Sequence, residues 1–402
     1  MSAASQPVLP PSMLGILGGG QLGRMFTVAA KTMGYHVTVL DPDPNAPAAD
    51  FADVHLCRAY DDPEALRLLA DSCAAVTTEF ENVNADSMRW LAGRTRVSPS
   101  GDCVAIAQDR IQEKAWINRA GLATAPYLAI ESVEDIQCDL APYLPGILKT
   151  ARLGYDGKGQ VGVASRADLA GAWQGLGSVA CVLEKRLQLV SECSVIVARG
   201  ADGQAVSFPV QKNTHIDGIL ALTEVFEGAV PAELAQRAQA ATLAIAQHLN
   251  YVGVLCVEYF VVKNEAGALD LVVNEMAPRP HNSGHYTQNA CDLSQFEAQV
   301  RALAGLPLPT PRQHSPAIMV NLLGDLWFNP NGVRPQASAE AVSPPWAQVL
   351  ALPGTHLHLY GKLSARPGRK MGHLNITGPS VAAVRETTAR VLALLGLPAL
   401  VG

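Results

Sequence analysis

Two acidic side chains stand in strand-like segments that are otherwise apolar. Glu258 interrupts Cys-Val-Glu-Tyr-Phe260, and Glu275 follows Val-Val-Asn274. A carboxylate in such a setting is costly unless something pairs with it. Mg²⁺ prefers oxygen ligands and often takes one or two carboxylates together with phosphate oxygens and water. The pair therefore predicts a magnesium site, with Asn274 as a further oxygen donor; the alternative is that both acids lie on edge strands and face solvent.

A glycine-rich loop follows a strand that carries a lysine. Lys149 lies in Gly-Ile-Leu-Lys-Thr150, and the loop reads Gly154-Tyr-Asp-Gly-Lys-Gly-Gln160. Successive glycines let backbone N–H groups approach phosphate oxygens, and Lys149 and Lys158 add positive charge. The spacing is not that of a Walker loop. The segment is interpreted as a phosphate-binding lid or, alternatively, as a flexible hairpin tip.

The string Asn-Glu-Met-Ala-Pro-Arg-Pro-His-Asn-Ser-Gly-His285 concentrates groups that bind anions. It runs from Glu275 directly into Arg279, His281 and Asn282. A surface loop has no reason to collect so many such groups just after a metal ligand. Chance is therefore a poor explanation for this concentration of anion-binding groups.

Near the start of the chain, Gly18, Gly20 and Gly23 satisfy G-x-G-x-x-G, and a second strand ends at Asp41. This is the outline of a dinucleotide-binding turn. An NAD-dependent dehydrogenase is therefore one interpretation, although it leaves the two late acids and the string after them without a role. For Asp41 the favoured interpretation is a turn former in Asp-Pro-Asp-Pro44.

Taken together, these motifs closely resemble those of the ATP-grasp superfamily. The resemblance covers nearly the whole chain and is carried by residues 18–22, 78–83, 108–110, 154–160, 208–215, 274–285 and 360–362. The string at 274–285 is the most specific of them, and the glycine triplet alone is weak. Within the superfamily the chain is similar to the branch that uses ATP to carboxylate 5-aminoimidazole ribonucleotide with bicarbonate, through carboxyphosphate, in purine biosynthesis.

Strand and helix alternate over the first hundred residues or so, which predicts a parallel sheet wound with helices. The later pattern is typical of an antiparallel α+β unit, and the proline-rich residues 306–316 predict a linker. We therefore expect a mixed α/β and α+β fold. With the resemblance, it divides into a Rossmann-like N-terminal domain (1–108), an ATP-grasp domain with a lid and a nucleotide- and metal-binding subdomain (109–307), and a small C-terminal domain (308–402).

The resemblance also implies where ATP binds. The phosphates would contact Arg110, Lys149 and the glycine loop. Adenine would lie against a hinge at 184–187, and Glu192 would bind the ribose hydroxyls, with His215 close to the nucleotide. The implied ATP ligands are Arg110, Lys149, Gly154, Tyr155, Asp156, Gly157, Lys158, Gly159, Gln160, Glu184, Lys185, Arg186, Leu187, Glu192, His215, Asn274 and Glu275. The implied metal ligands are Glu258 and Glu275. At position 158 arginine is also common in the family, so Lys158 keeps the charge but not the guanidinium fork.

The acceptor and bicarbonate sites follow from the same resemblance. The implied ribonucleotide ligands are Gly20, Gln21, Leu22, Glu79, Tyr155, Asp156, Lys362 and Arg369. The implied catalytic residues are Asp156, Arg279, His281, Asn282 and Lys362, and Asp156 is a candidate base for the substrate amine. On this interpretation the N-terminal glycine loop helps to bind the ribonucleotide and not NAD.

Composition narrows the class of protein. The chain has 402 residues, 49% of them hydrophobic and 16% charged, with a net charge of −6. It shows no basic footprint for nucleic acid or anionic membrane, no apolar run long enough to span a bilayer, and no signal-peptide pattern at its start. The eight cysteines are scattered without a C-x-x-C pair, which favours a reducing cytoplasm over a zinc or disulfide framework. We expect ATP and Mg²⁺ as cofactors, small-molecule partners, and the homodimer that is usual for the family.

Three further interpretations stay open from the sequence. A non-enzymatic nucleotide-binding regulator would bind ATP without turnover. A formate-dependent glycinamide ribonucleotide transformylase and a biotin carboxylase are the nearest rivals inside the superfamily.

Overall fold

The computed structural model describes residues 6–154, 159–328 and 341–400. Its first sheet is parallel, with strand order β3-β2-β1-β4-β5. The strands are β1 (Met13–Leu17), β2 (His36–Leu40), β3 (Val54–Leu56), β4 (Ala75–Thr78) and β5 (Arg96–Val97), and the helices wound with them are α1 (Gln21–Thr32), α2 (Pro63–Ser72), α3 (Ala85–Ala92) and α4 (Gly101–Ala107). The predicted parallel sheet wound with helices is confirmed.

Two glycines shape the turn from β1 into α1. Gly18 has a φ of +99°, a conformation that L side chains rarely adopt. A Cβ on Gly23 would lie 2.4 Å from the carbonyl oxygen of Gly18. The turn therefore needs glycine at both positions, and it places the start of α1 directly above the end of β4.

A small antiparallel sheet follows helix α5 (Arg110–Arg119). Its order is β6-β9-β7-β8. The strands are β6 (Tyr127–Ile130), β7 (Gly146–Thr150), β8 (Gln160–Val163) and β9 (Cys181–Lys185), and α6 (Arg166–Gly175) packs against them. Leu169 and Trp173 of α6 are buried in this core. The glycine-rich loop joins β7 to β8, and its residues 155–158 lie outside the described part of the chain.

The largest sheet has nine strands, in the order β15-β14-β10-β12-β13-β16-β18-β17 with β11 paired to β10, and all its pairs are antiparallel. The strands are β10 (Leu189–Arg199), β11 (Ala205–Ser207), β12 (Gln211–Ile216), β13 (Ile219–Val225), β14 (Gly253–Lys263), β15 (Leu269–Ala277), β16 (Ala317–Leu323), β17 (Thr355–Leu359) and β18 (Lys370–Thr377). The associated helices are α7 (Ala232–His248), α8 (Thr287–Ala290), α9 (Gln295–Ala304), α10 (Trp346–Leu350) and α11 (Val381–Leu394). The pairing of β13 with β16 carries the sheet into the C-terminal segment.

Helix α9 fixes the first sheet against the largest one. Its Val300 and Leu303 join the core formed by β1 and β2, whereas Ala298 and Ala302 join the core of the large sheet. Its Gln299 donates to Thr77 Oγ1 at 3.2 Å. The end of β4 is thereby held close to the end of β15. None of the described helices is long and apolar enough to cross a membrane.

Candidate active site

Two adjoining cavities, of about 700 Å³ and about 230 Å³, contain most of the predicted site residues. Both are lined by Arg110, Glu275, His281, Asn282 and Lys370. Of the predicted residues, the larger is also lined by Gln21, Leu22, Glu79, Gly154, Arg279, Lys362 and Arg369, and the smaller by Lys149, Gly159, Gln160, Glu192, His215, Glu258 and Asn274. The residues expected at the ribonucleotide and those expected at ATP therefore occupy two spaces with a common wall.

Some predicted residues do not line either cavity. Gly20 lies at the start of α1 beneath Glu79, and residues 184–187 lie at the end of β9 and just after it. Tyr155, Asp156, Gly157 and Lys158 lie outside the described residues. Their assignments stay predictions.

The two acids expected to bind metal face each other across neighbouring strands. Glu258 on β14 and Glu275 on β15 are direct partners in the register, with a bulge immediately after Glu258. Like charges placed directly opposite each other are destabilising. The groups around the pair shift the pKa values of the two carboxyl groups in opposite directions. Burial and then the charge of Glu275 raise the pKa of Glu258 to about 7. Burial alone would raise the pKa of Glu275 as well. The Arg110 guanidinium, 2.9 Å from the Glu275 carboxylate, instead lowers this pKa to about 2.

The chemistry of the smaller cavity suits a hard cation. The Oε1 atom of Glu258 and the Oδ1 atom of Asn274 are buried without a hydrogen-bond partner, and both residues line this cavity beside Glu275. Across the described ranges, no group of three or more His, Cys, Asp or Glu side chains could enclose a metal. The two carboxylates and the unpartnered oxygen of Asn274 could hold Mg²⁺, whose other ligands would be phosphate oxygens and water.

A buried acid fixes the lysine of β7. Glu184 is 3% exposed, and its carboxylate lies 3.0 Å from the Nζ atom of Lys149 and 3.2 Å from that of Lys114. Burial alone would raise the pKa of Glu184, but the two lysines lower it. Glu184 therefore positions Lys149 at the cavity wall. Lys114, which is 1% exposed, was not predicted as a site residue.

His215 and Glu192 lie together on the wall of the smaller cavity. The Nδ1 atom of His215 is 3.0 Å from Glu192 Oε2. Burial alone would lower the pKa of His215, but the adjacent carboxylate of Glu192 raises it. The pair thus offers an imidazole and a carboxylate at the place where the sequence predicts the nucleotide.

Arg279 is anchored by an acid from the first sheet. Its guanidinium forms a two-point ion pair with the carboxylate of Glu81, which follows β4. Burial alone would lower the pKa of Arg279, but the charge of Glu81 raises it. The pair presents a fixed cation to the larger cavity. Glu81 belongs to the 78–83 motif but was not predicted as a site residue.

The amide groups of the glycine turn are occupied by carboxylates of the same chain. Glu79 accepts from the amides of Gly20 and Gly23, both at 2.6 Å, and Asp41 accepts from the amide of Gly19 at 2.6 Å. These are the donors that a dinucleotide pyrophosphate would need. The geometry therefore argues against the NAD interpretation. Asp41 also accepts from the amide of Asp43 as a turn former would, but its contact with Gly19 shows an additional anchoring role.

Cations of the C-terminal segment reach the larger cavity. Lys362 donates to the carbonyl of Lys370 at 2.7 Å, and Arg369 donates to the carbonyl of Ser364 at 2.8 Å. Arg366 and Lys370, which were not predicted, line the same cavity. The sequence signal for them was the cluster Arg-Pro-Gly-Arg-Lys370, of which only Arg369 was identified.

A buried acid behind the pair makes stability depend on pH. Glu113, on α5, is 2% exposed and accepts from the amide of Met276, and burial followed by the charge of Glu275 raises its pKa from 4.5 to about 8. Such a group stabilises the fold fully below the unfolded pKa, and this contribution is lost as the pH rises through the folded pKa. The stability of Glu113→Gln relative to the wild type should therefore rise by several kcal/mol, at roughly 1.4 kcal/mol per unit of pKa shift, as the pH rises from about 5 to about 9.

Urea unfolding of the nucleotide-free proteins at several pH values measures this difference. Glu297→Gln on α9, which removes a partly exposed partner of Arg301, is the matched control, and its difference from the wild type should stay constant. A constant difference for Glu113→Gln as well would show that its carboxyl group has an ordinary pKa.

Family models match the chain in three consecutive stretches. A ribonucleotide synthetase preATP-grasp domain matches residues 12–108, an ATP-grasp domain matches 115–296, and a phosphoribosylaminoimidazole carboxylase C-terminal domain matches 317–387. The order and nature of these domains confirm the predicted fold class.

Curated relatives and solved structures match over nearly the full length. The N5-carboxyaminoimidazole ribonucleotide synthase of Brucella melitensis is 41% identical over 92% of this chain and 97% of its own, and that of Bacillus subtilis is 39% identical over 92% and 93%. The Staphylococcus aureus N5-carboxyaminoimidazole synthetase complexed with ADP has a TM-score of 0.86 at 34% identity, covering 98% of this chain and 100% of its own. The Aspergillus clavatus N5-carboxyaminoimidazole synthase with ADP and 5-aminoimidazole ribonucleotide has a TM-score of 0.83 at 28% identity, covering 96% and 99%. The chain therefore belongs to the N5-carboxyaminoimidazole ribonucleotide synthase family of ATP-grasp ligases.

Proposed function

We propose that this protein uses ATP to carboxylate 5-aminoimidazole ribonucleotide with bicarbonate, forming N5-carboxyaminoimidazole ribonucleotide, ADP and phosphate in purine biosynthesis. The observation that supports this most directly is the common wall of the two cavities, which holds Arg110, Glu275, His281 and Asn282. A ligase that makes an acyl phosphate needs its nucleotide and its acceptor to meet at one point. The smaller cavity has the groups for the nucleotide, and the larger one has the groups for a phosphorylated acceptor.

Bicarbonate is a poor electrophile at neutral pH, so one of its oxygens must first become a leaving group. In the first step that oxygen attacks the γ-phosphorus of ATP, the bond to ADP breaks, and carboxyphosphate forms. Phosphoryl transfer depends on positioning and on charge neutralisation. Lys149, held by Glu184, and Arg279, held by Glu81, are the fixed cations for these two tasks.

Glu258 and Glu275, with the unpartnered oxygen of Asn274, would hold Mg²⁺. When bound, this ion would neutralise phosphate charge during transfer. Arg110 keeps Glu275 ionised even without the metal, since it lowers the pKa of that carboxyl group.

In the second step the exocyclic amine attacks the carboxyl carbon, phosphate leaves, and the amine loses a proton. Lys362 and Arg369 line the larger cavity and are suited to the ribonucleotide phosphate, whereas Gln21 and Glu79 lie at its opposite end near the glycine turn. Asp156, on the 154–160 loop, is our candidate to accept the proton. The loop bears three glycines, and we propose that it closes over the unstable intermediate.

ADP release in a coupled assay tests this function. It should require Mg²⁺ and bicarbonate and should rise strongly when 5-aminoimidazole ribonucleotide is added, because carboxyphosphate is then consumed. Equal ADP release with glycinamide ribonucleotide and formate would instead support the transformylase alternative. Nucleotide binding without any turnover would support a regulator.

We also propose that the protein works in the cytoplasm as a homodimer. All eight cysteines are free, and six of them are buried, as expected where thiols stay reduced. The homodimer follows from the family resemblance alone. Sedimentation equilibrium of the purified chain would test it.

A further inference from the structure

His281 lies in the wall that the two cavities share, and its ring is held from behind. The Nδ1 atom of the imidazole is 2.9 Å from the hydroxyl oxygen of Ser283 and 3.3 Å from the backbone nitrogen of Ser283. The Nε2 atom lies on the other side of the ring, 3.8 Å from Glu258 Oε1. The two ring nitrogens therefore have different surroundings, one facing the protein interior and one facing the site.

The amide of Ser283 favours one position for the ring proton, although its contact with Nδ1 is long at 3.3 Å. A backbone N–H can only donate, so the Nδ1 atom that it approaches must offer a lone pair. A proton on Nδ1 would face this N–H directly. The ring proton is therefore on Nε2, and the Ser283 hydroxyl is free to donate to Nδ1 as well.

Behind Ser283 lies a chain of buried polar groups that spans three neighbouring strands. The Ser283 hydroxyl is 2.8 Å from that of Ser194 on β10, which accepts from the amide nitrogen of Asn213 on β12 at 2.9 Å. The amide oxygen of Asn213 in turn accepts from the hydroxyl of Thr223 on β13 at 3.0 Å. All four residues are at most 5% exposed. We call Ser283, Ser194, Asn213 and Thr223 the hydroxyl relay.

The relay has a preferred direction. Because the Thr223 hydroxyl donates to the Asn213 oxygen, the Asn213 nitrogen points to Ser194 and can only donate there. Ser194 then has its own proton available for Ser283, although the side-chain oxygen of Gln211, 3.0 Å away, is a second acceptor. When Ser194 donates its hydrogen bond to Ser283 Oγ, the Ser283 hydroxyl can direct its own hydrogen to Nδ1 of His281. Each donor in the chain thus supports the same ring tautomer.

We infer that the hydroxyl relay is a positioning device that keeps the His281 proton on Nε2, so that the ring presents an N–H donor to the anion formed where the two cavities meet. This inference rests on the proposed function for the identity of that anion, but not for the tautomer itself. The relay residues line neither of the two cavities, so we expect them to act through His281. The relay also gives a role to Asn213 of the 208–215 motif.

The first test is the nitrogen NMR spectrum of the whole protein labelled with ¹⁵N-histidine, with the His281 signals assigned by their loss in His281→Gln. We expect a pyrrole-type Nε2 and a pyridine-type Nδ1. A proton on Nδ1 in the wild type would overturn the inference. This measurement needs no substrate and no turnover.

The second test compares variants of the relay. Ser283→Ala leaves only the longer amide contact to Nδ1, and it should reduce kcat by about ten- to a hundredfold, the usual effect of losing an orienting group. The KM values for ATP and for the ribonucleotide should stay within about twofold, since neither substrate loses a direct contact. The two NMR signals should move towards each other as both tautomers become populated.

Two further variants separate orientation from packing. Thr223→Val keeps the shape of the side chain but removes the first donor of the relay, so it should lower kcat as Ser283→Ala does. Ser283→Thr keeps the hydroxyl and should therefore retain most of the wild-type kcat. Ser98→Ala removes another buried hydroxyl, which donates to Val252 at 2.7 Å; it should lower the Tm without changing the His281 signals. Unchanged kcat in both Ser283→Ala and Thr223→Val would refute the relay. If the wild type shows the expected tautomer but no ADP release with bicarbonate and ribonucleotide, the proposed function fails and the tautomer assignment stands.

Discussion

Glu275→Gln should reduce turnover by at least ~10²-fold, because it removes one negative charge from the expected Mg²⁺ ligands and weakens charge stabilisation in the transition state. The substitution keeps the size of the side chain and its capacity to accept hydrogen bonds. It also leaves Arg110 without its ion-pair partner at 2.9 Å. We therefore expect some loss of thermal stability as well. Steady-state ADP release at saturating ATP and bicarbonate measures the turnover.

Glu297→Gln is the matched control for this variant. It also removes the acidic partner of an arginine, here Arg301 at 2.7 Å, but on a helix outside both cavities. Its turnover should equal that of the wild type. A near-native turnover of Glu275→Gln would show that Glu275 is not a metal ligand. The position of Glu275 opposite Glu258 would then have no role in catalysis.

Arg369→Ala should raise the KM for 5-aminoimidazole ribonucleotide by roughly ten- to a hundredfold. A charge-assisted contact to the ribonucleotide phosphate is worth on the order of 1.5–3 kcal/mol. The KM for ATP should stay within about twofold, because Arg369 lines the larger cavity and not the smaller one. Lys362→Ala should lose turnover in addition, since the resemblance places this lysine near both the substrate and carboxyphosphate.

Arg312→Ala provides the comparison. It removes the same charge from an exposed arginine that pairs with Asp292 and lies in neither cavity. It should change neither KM. If Arg369→Ala and Lys362→Ala both left the ribonucleotide KM unchanged, the C-terminal segment would not belong to the substrate site.

The elements that the sequence predicted well are those with a local signal. The acids of β14 and β15 were identified because each breaks an apolar strand, and the register then placed them opposite each other. The alternation of the first hundred residues likewise predicted the parallel sheet. By contrast, β12 and β13 carry no comparable local signal. Buried polar side chains such as Asn213 and Thr223 disturb the alternation by which such strands are recognised.

The partners of the site residues carried no such signal. Lys114 lies on α5 among several other charged residues. It was not recognisable as a site residue because its partner Glu184 lies on β9, far along the chain. The pairing of Glu81 with Arg279 joins residues that are 198 positions apart. The first contact is set by the packing of α5 against β9 and the second by the packing of α9 between two sheets, and no local pattern records either. The types of the site residues could therefore be predicted, but not the groups that hold them.

The continuous sheet also bears on how this protein can be divided. Because β13 pairs with β16 over residues 222–225, a fragment that ended near residue 307 would leave β13 as an open edge with unpaired backbone donors and acceptors. Such an edge is a template for pairing with other chains. We therefore expect the N-terminal and central parts, expressed without the last hundred residues or so, to aggregate or to exchange strands between molecules. On this expectation the C-terminal segment would keep the rest of the fold from aggregating, besides its proposed part in the substrate site.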